Sequence, residues 1–84
     1  MWYVYLLRCS DGSLYCGITN DIERRLKAHQ AGKGAKYTRA RLPVKLAYTE
    51  TVESKSKALK RELQIKKFSK TKKEQLTSFN SYEK

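Results

Sequence analysis

Arg25, His29 and Glu62 stand on helix faces that should be apolar, and tyrosines gather around one glycine in a predicted hairpin. On a helical wheel, Ile22 and Leu26 centre the buried stripe of a helix that follows Asn20. Arg25 and His29, at i+3 and i+7 from Ile22, share that side, while Arg24 and Lys27 point away. An arginine and a histidine turned inward need partners, because burying either one alone is costly. His29 can cap its helix end or bond a carbonyl; beside Arg25 it also suits proton transfer near neutral pH. Glu62 is the sharper case. Ala58, Leu59, Leu63 and Ile65 define the apolar arc of a later helix, and Glu62 falls inside it, the one acid between Ser54 and Lys73. A carboxylate facing a sheet must be paired, protonated or bound to a hard divalent cation. A salt bridge to Arg25 and a metal site both satisfy that demand.

The elements that position these residues follow from pattern. Trp2 to Cys9 and Leu14 to Ile18 are rich in Tyr, Val, Leu and Ile and flank Ser10-Asp11-Gly12-Ser13, a β-hairpin signal. A three-residue loop with Gly12 left-handed makes paired residue numbers sum to 22, so Tyr5 faces Gly17 and Leu7 faces Tyr15. Tyr3, Tyr5, Leu7, Tyr15, Gly17 and Thr19 then share one face, and Val4, Leu6, Leu14, Cys16 and Ile18 the other, which is uniformly apolar. Asn20 with Glu23 three residues on suggests a capping box for the first helix, which Gly32 ends. Residues 31–43 are expected as a loop, Val44 to Thr51 as a third strand. Ser54 or Ser56 caps a helix to about Phe68, and Thr71 with Glu74 starts another ending near Phe79. The tail over 80–84 is expected to fray. The order ββαβαα predicts one α/β (α+β) domain over residues 1–84, a three-stranded, mostly antiparallel sheet flanked by helices.

Composition narrows the function. A chain of 84 residues folds around one modest core. No apolar run approaches the roughly 20 residues of a membrane span, and Trp2 to Leu7 is too short for a signal-peptide core. The mature chain is expected to start at Met1 and stay in the cytoplasm. Cys9 and Cys16 are too few for a disulfide scaffold and lack zinc-type spacing, so free thiols on opposite faces are expected. The formal charge is +11, with eight cations and no acid from Arg24 to Thr49, and nine cations against Glu62 alone from Ser54 to Lys73. Such nearly acid-free stretches suit phosphate, whether on DNA or RNA. Gly32-x-Gly34 lacks the P-loop spacing, which disfavours an ATPase.

The ordered set Tyr3-Val4-Tyr5, Tyr15-Cys16-Gly17, Arg25, His29 and Glu62 resembles the GIY-YIG nuclease superfamily, and is most similar to its small stand-alone bacterial members. Asp21-Ile22-Glu23-Arg24-Arg25-Leu26-x-x-His29 matches the helix-one pattern, and Gly32-Lys33-Gly34-Ala35-Lys36-Tyr37-Thr38-Arg39 a loop typical of that subgroup. The resemblance covers about residues 3–76. Two positions depart: Tyr3 replaces the first glycine and Cys16 the isoleucine, both leaving the tyrosines in place.

The resemblance implies hydrolysis of a phosphodiester in DNA with one divalent ion, Mg2+ or Mn2+, in repair or processing. Tyr5 would be the base, its pKa lowered by nearby cations and the metal, with Tyr15 positioning water or phosphate. His29 would relay the proton, Arg25 would bind the scissile phosphate and Glu62 would hold the metal. Gly17 would let phosphate approach the strand. Lys33, Lys36, Arg39 and Arg41 would grip flanking phosphates, and Tyr37 would stack on a base or sugar edge. The rival is a non-catalytic nucleic-acid-binding module, for DNA or RNA, with Arg25 and Glu62 as a structural pair. A protein partner fits either.

Overall fold

Gly12, at φ 84°, makes the turn that sets the sheet. The Gly12 N–H donates to the Cys9 carbonyl and the Cys9 N–H to the Ser13 carbonyl, a tight loop that holds the pairing sum at 22. A computed structural model describes residues 1–79, in the order β1 (Trp2–Arg8), β2 (Leu14–Thr19), α1 (Ile22–Gln30), α2 (Lys36–Arg39), β3 (Lys45–Val52), α3 (Lys55–Lys66) and α4 (Lys70–Phe79). The expected frayed tail over 80–84 lies outside the described residues. The expected order gains one element, the single-turn helix α2 inside the segment read as loop. Four residues are too few to leave a helical period in the sequence.

The antiparallel sheet runs β2-β1-β3, so β1 is central. Tyr5 pairs with Gly17 and Leu7 with Tyr15, the register expected from the three-residue loop. Between β1 and β3, Leu6 faces Tyr48 but Leu7 faces Leu46, which marks a bulge. In a regular strand Leu46 and Tyr48 would share a face; the extra residue lets them join cores on opposite sides.

Both faces of the sheet are covered. Val4, Leu6, Cys16, Tyr48, Ala58 and Ile65 form one core with Trp2, Leu14, Ile18, Val52, Phe68 and Leu76 around it, roofed by α3 and α4. Tyr5, Leu7, Cys9 and Val44 form the other, with Tyr15, Ile22, Leu26, Leu42 and Leu46, roofed by α1. Cys9 and Cys16 are free, buried and in different cores.

Caps differ from expectation by a residue or two. Asp21 caps α1, its carboxylate accepting from the Arg24 N–H at 3.1 Å, while the Thr19 hydroxyl accepts from the Asp21 N–H. Asp21 takes the place expected of Asn20 because the strand runs one residue further, to Thr19. At the other end the Lys33 N–H reaches the Ala28 carbonyl and the Gly32 N–H the His29 carbonyl, a Schellman turn that Gly32 permits at φ 77°. Ser54 caps α3, and the Ser69 hydroxyl accepts from the Lys72 N–H, so α4 begins before Thr71. Arg8 of β1 forms a two-pronged pair with Glu74 at 2.5 Å, tying α4 to the sheet.

On α3 the inward stripe is Ala58, Glu62 and Ile65, at i, i+4 and i+7. Leu59 and Leu63, expected inside the arc, are 44% and 59% exposed. The helix is turned so that the small Ala58 meets the sheet and the leucines ride on its flank.

Candidate active site

The Tyr5 hydroxyl lies 2.9 Å from Nε2 of His29, and His29 Nδ1 lies 2.8 Å from the Thr38 hydroxyl. Tyr5 reaches this point from the central strand, His29 from the last turn of α1 and Thr38 from α2. His29 and Thr38 are fully buried and Tyr5 nearly so. Two glycines make the fit possible. A Cβ on Gly17 would stand 2.5 Å from the Tyr5 oxygen and 2.6 Å from its Cζ, and one on Gly34 would fall 2.7 Å from Cγ and Cε1 of His29. Real Cβ atoms do not approach so closely, so glycine is required at both places. The space above Gly17, expected to admit a phosphate, is occupied by the phenol opposite it.

Tyr15 joins through its ring, with its centroid 5.5 Å from the His29 ring and 6.5 Å from that of Tyr5. Tyr37 stacks on Tyr15 at 6.0 Å, and the Arg41 guanidinium lies 3.9 Å over the Tyr37 ring. Arg41 also donates to Asp11 at 3.0 Å and to the Tyr37 carbonyl. These two residues, expected to hold nucleic acid, brace α2 against the hairpin loop. Tyr37 still leaves 39% of its surface exposed. Lys33, Lys36 and Arg39 are exposed around α2.

Arg25 lies half-buried beside Tyr5, lining the same pocket, and its charge works to lower the pKa of that phenol. Burial nevertheless dominates and pushes the Tyr5 phenol above its ordinary value. The expectation that cations lower it is corrected for this protein by the closed surroundings of the ring. Burial, then the Arg25 charge, hold His29 down at about 4, so it is neutral at pH 7.

Glu62 stands apart. It is 16% exposed, pairs with Lys66 at 3.6 Å one turn on, and its charge helps burial raise the Cys16 thiol to about 12. Cys16 faces the α3 core, so Glu62 approaches the sheet from the side opposite Tyr5 and His29. Among the described residues Arg25 and Glu62 form no ion pair with each other, and no group of three or more His, Cys, Asp or Glu could hold a metal. One partly open carboxylate is still the kind of donor Mg2+ accepts when waters and phosphate oxygens complete its shell.

Sequence reasoning missed Thr38 and gave Gly34 no role. A hydroxyl in a single-turn helix carries no periodic signal, and the close approach of Gly34 to His29 exists only in three dimensions.

A buried tyrosine–histidine–threonine chain beside an inward arginine, hung on a three-stranded antiparallel sheet, defines a small α+β domain with a preorganised polar site. Residues 1–75 match the model of the GIY-YIG catalytic domain, and the chain belongs to that family. A UPF0213 protein of Bacillus licheniformis is 60% identical over 72 residues, which cover 86% of this chain and 74% of that one. A UPF0213 protein of Halobacterium salinarum is 53% identical over 76 residues, 90% of this chain and 99% of its own. The solution NMR structure of a UPF0213 protein from Bacillus halodurans superposes with a TM-score of 0.62 at 49% identity, covering 99% of this chain and 89% of that chain. Among the described residues no helix is long and apolar enough to cross a membrane.

Proposed function

We propose that this chain is a single-domain, metal-dependent endonuclease that hydrolyses phosphodiester bonds in DNA, in repair or processing in the cytoplasm. The observation that carries the proposal is the 2.9 Å contact between the Tyr5 hydroxyl and an imidazole kept neutral by burial. A phenol pushed up by burial is not a standing phenolate at pH 7, so Tyr5 acts as a relay. Its proton passes to Nε2 of His29 as its oxygen takes the proton of the attacking water. The hydroxide oxygen bonds to phosphorus, the bond to the 3′-oxygen breaks, and solvent returns a proton to that oxygen. Arg25 binds the scissile phosphate and balances its growing charge. Tyr15, with one ring edge toward His29, orients the water or phosphate. Glu62 would hold one Mg2+ or Mn2+ from the α3 side of the sheet, an ion that when bound would supply positive charge to the nucleic-acid backbone. Lys33, Lys36 and Arg39 are exposed beside α2 and hold flanking phosphates; RNA offers the same backbone charge.

The test is cleavage of a panel of plain, branched, damaged and single-stranded DNA, with and without Mg2+ or Mn2+, by the wild type and Glu62→Gln. Metal-dependent cleavage that Glu62→Gln abolishes at unchanged melting temperature is expected. Binding without cleavage by the wild type on every substrate would replace this proposal with the non-catalytic nucleic-acid-binding module.

A further inference from the structure

The hydroxyl of Thr38 has one proton and two neighbours. It lies 3.0 Å from the Ala35 carbonyl, which can only accept, and 2.8 Å from His29 Nδ1, which can do either. With its proton on the carbonyl, Thr38 must accept at Nδ1, so Nδ1 carries the imidazole hydrogen. The far end of the chain agrees. The Tyr5 hydroxyl is buried, and Nε2 of His29, 2.9 Å away, is the acceptor within reach of its proton. The opposite tautomer would aim Nε2–H at the Tyr5 oxygen and leave a buried phenol proton without an acceptor, which is costly.

We propose that Thr38 is a positioning residue that locks His29 as the Nδ1–H tautomer, leaving Nε2 a bare base aimed at the Tyr5 hydroxyl. Its role in cleavage rests on the proton relay proposed above; the tautomer itself does not. Thr38 is fully buried and held by α2, whose brace on the hairpin through Tyr37 and Arg41 fixes the hydroxyl at Nδ1. Gly34 closes the remaining side of the ring, so His29 has no room to turn over. The segment 33–41 therefore serves the chemistry from behind the histidine as well as lying beside the nucleic acid.

His29 is the sole histidine, which makes its nitrogens unambiguous by NMR. The experiment uses uniformly 15N-labelled protein at pH 7 without metal or nucleic acid. Long-range 1H–15N spectra of the wild type, Thr38→Ser and Thr38→Val are followed by single-turnover cleavage on the same preparations. The wild type and Thr38→Ser are expected to show a protonated Nδ1 and a bare Nε2. Thr38→Val, which keeps the shape and loses the acceptor, should shift toward Nε2–H and lose about 10- to 100-fold in the cleavage rate with nucleic-acid affinity unchanged. A wild-type spectrum with Nε2 protonated, or a Thr38→Val spectrum identical to wild type, overturns the proposal, and the wild-type spectrum decides even if Thr38→Val does not fold. The expected tautomers with no cleavage by the wild type would uphold the lock and overturn the nuclease. Cleavage with the wrong tautomer would do the reverse.

Discussion

The two faces of the sheet are built for different ends. The α3–α4 face is a core of Val4, Leu6, Cys16, Ala58 and Ile65, whose polar members are satisfied at its edge, as where Tyr48 and Arg61 share Glu50. The α1–α2 face buries a phenol, an imidazole and a threonine hydroxyl in one hydrogen-bonded line, with two glycines kept open beside them. Apolar burial there is interrupted by groups that stabilise only while every link is made. One face is packed almost wholly from apolar side chains, the other also holds groups whose protons can move, and the same central strand feeds both by alternation.

The largest effect should come from the first face. Ile65→Ala removes a fully buried side chain from beneath α3 and should lower stability by about 4 kcal/mol. Urea denaturation reads the loss, and cleavage per folded molecule should hold. A drop in cleavage beyond the loss of folded protein would break the division of labour.

Next comes a pH effect confined to the second face. Unfolded His29 binds its proton near 6.5 and folded His29 near 4. Between those values the unfolded chain holds more protons, so stability is full above about 6.5 and falls as pH drops toward 4. The shift corresponds to about 3 kcal/mol. Asp11 and Glu74, held below their ordinary values by their hydrogen bonds, titrate alike in both proteins. The difference in stability between wild type and His29→Gln should therefore shift by that amount from pH 7 to 4. Parallel curves would mean that His29 titrates freely.

A smaller stability cost is expected of Gly34→Ala, because the overlap of the new methyl with the imidazole, more than half an ångström, must be relieved by moving the ring away. About 2 kcal/mol of strain is expected from equilibrium denaturation. The gain of a methyl should displace the imidazole and lower cleavage far more than stability. Equal losses in both would make Gly34 a packing residue only.

Much of this contrast was legible in the sequence. The pairing of Tyr5 with Gly17 followed from one glycine and a parity rule, and the inward turn of Arg25 and His29 from helical period, since both depend on spacing along the chain. The inward place of Glu62 was legible too; its partner Lys66 was not, because the sequence offered Arg25 as an equally good cation. Leu59 and Leu63 misled because hydropathy does not reveal how far a helix rolls when an alanine meets the sheet. Thr38, Gly34 and the Tyr15–Tyr37–Arg41 stack depend on how residues 31–43 fold back over the hairpin, a long-range contact with no local signature.

The central claim is that the Tyr5–His29 contact performs chemistry, and Tyr5→Phe tests it most directly. That change removes one oxygen and leaves the ring against Gly17. Metal-dependent DNA cleavage by Tyr5→Phe should fall at least about 100-fold against wild type, with the melting temperature lowered by only a few degrees. Cleavage at the wild-type rate by a folded Tyr5→Phe protein would contradict the account.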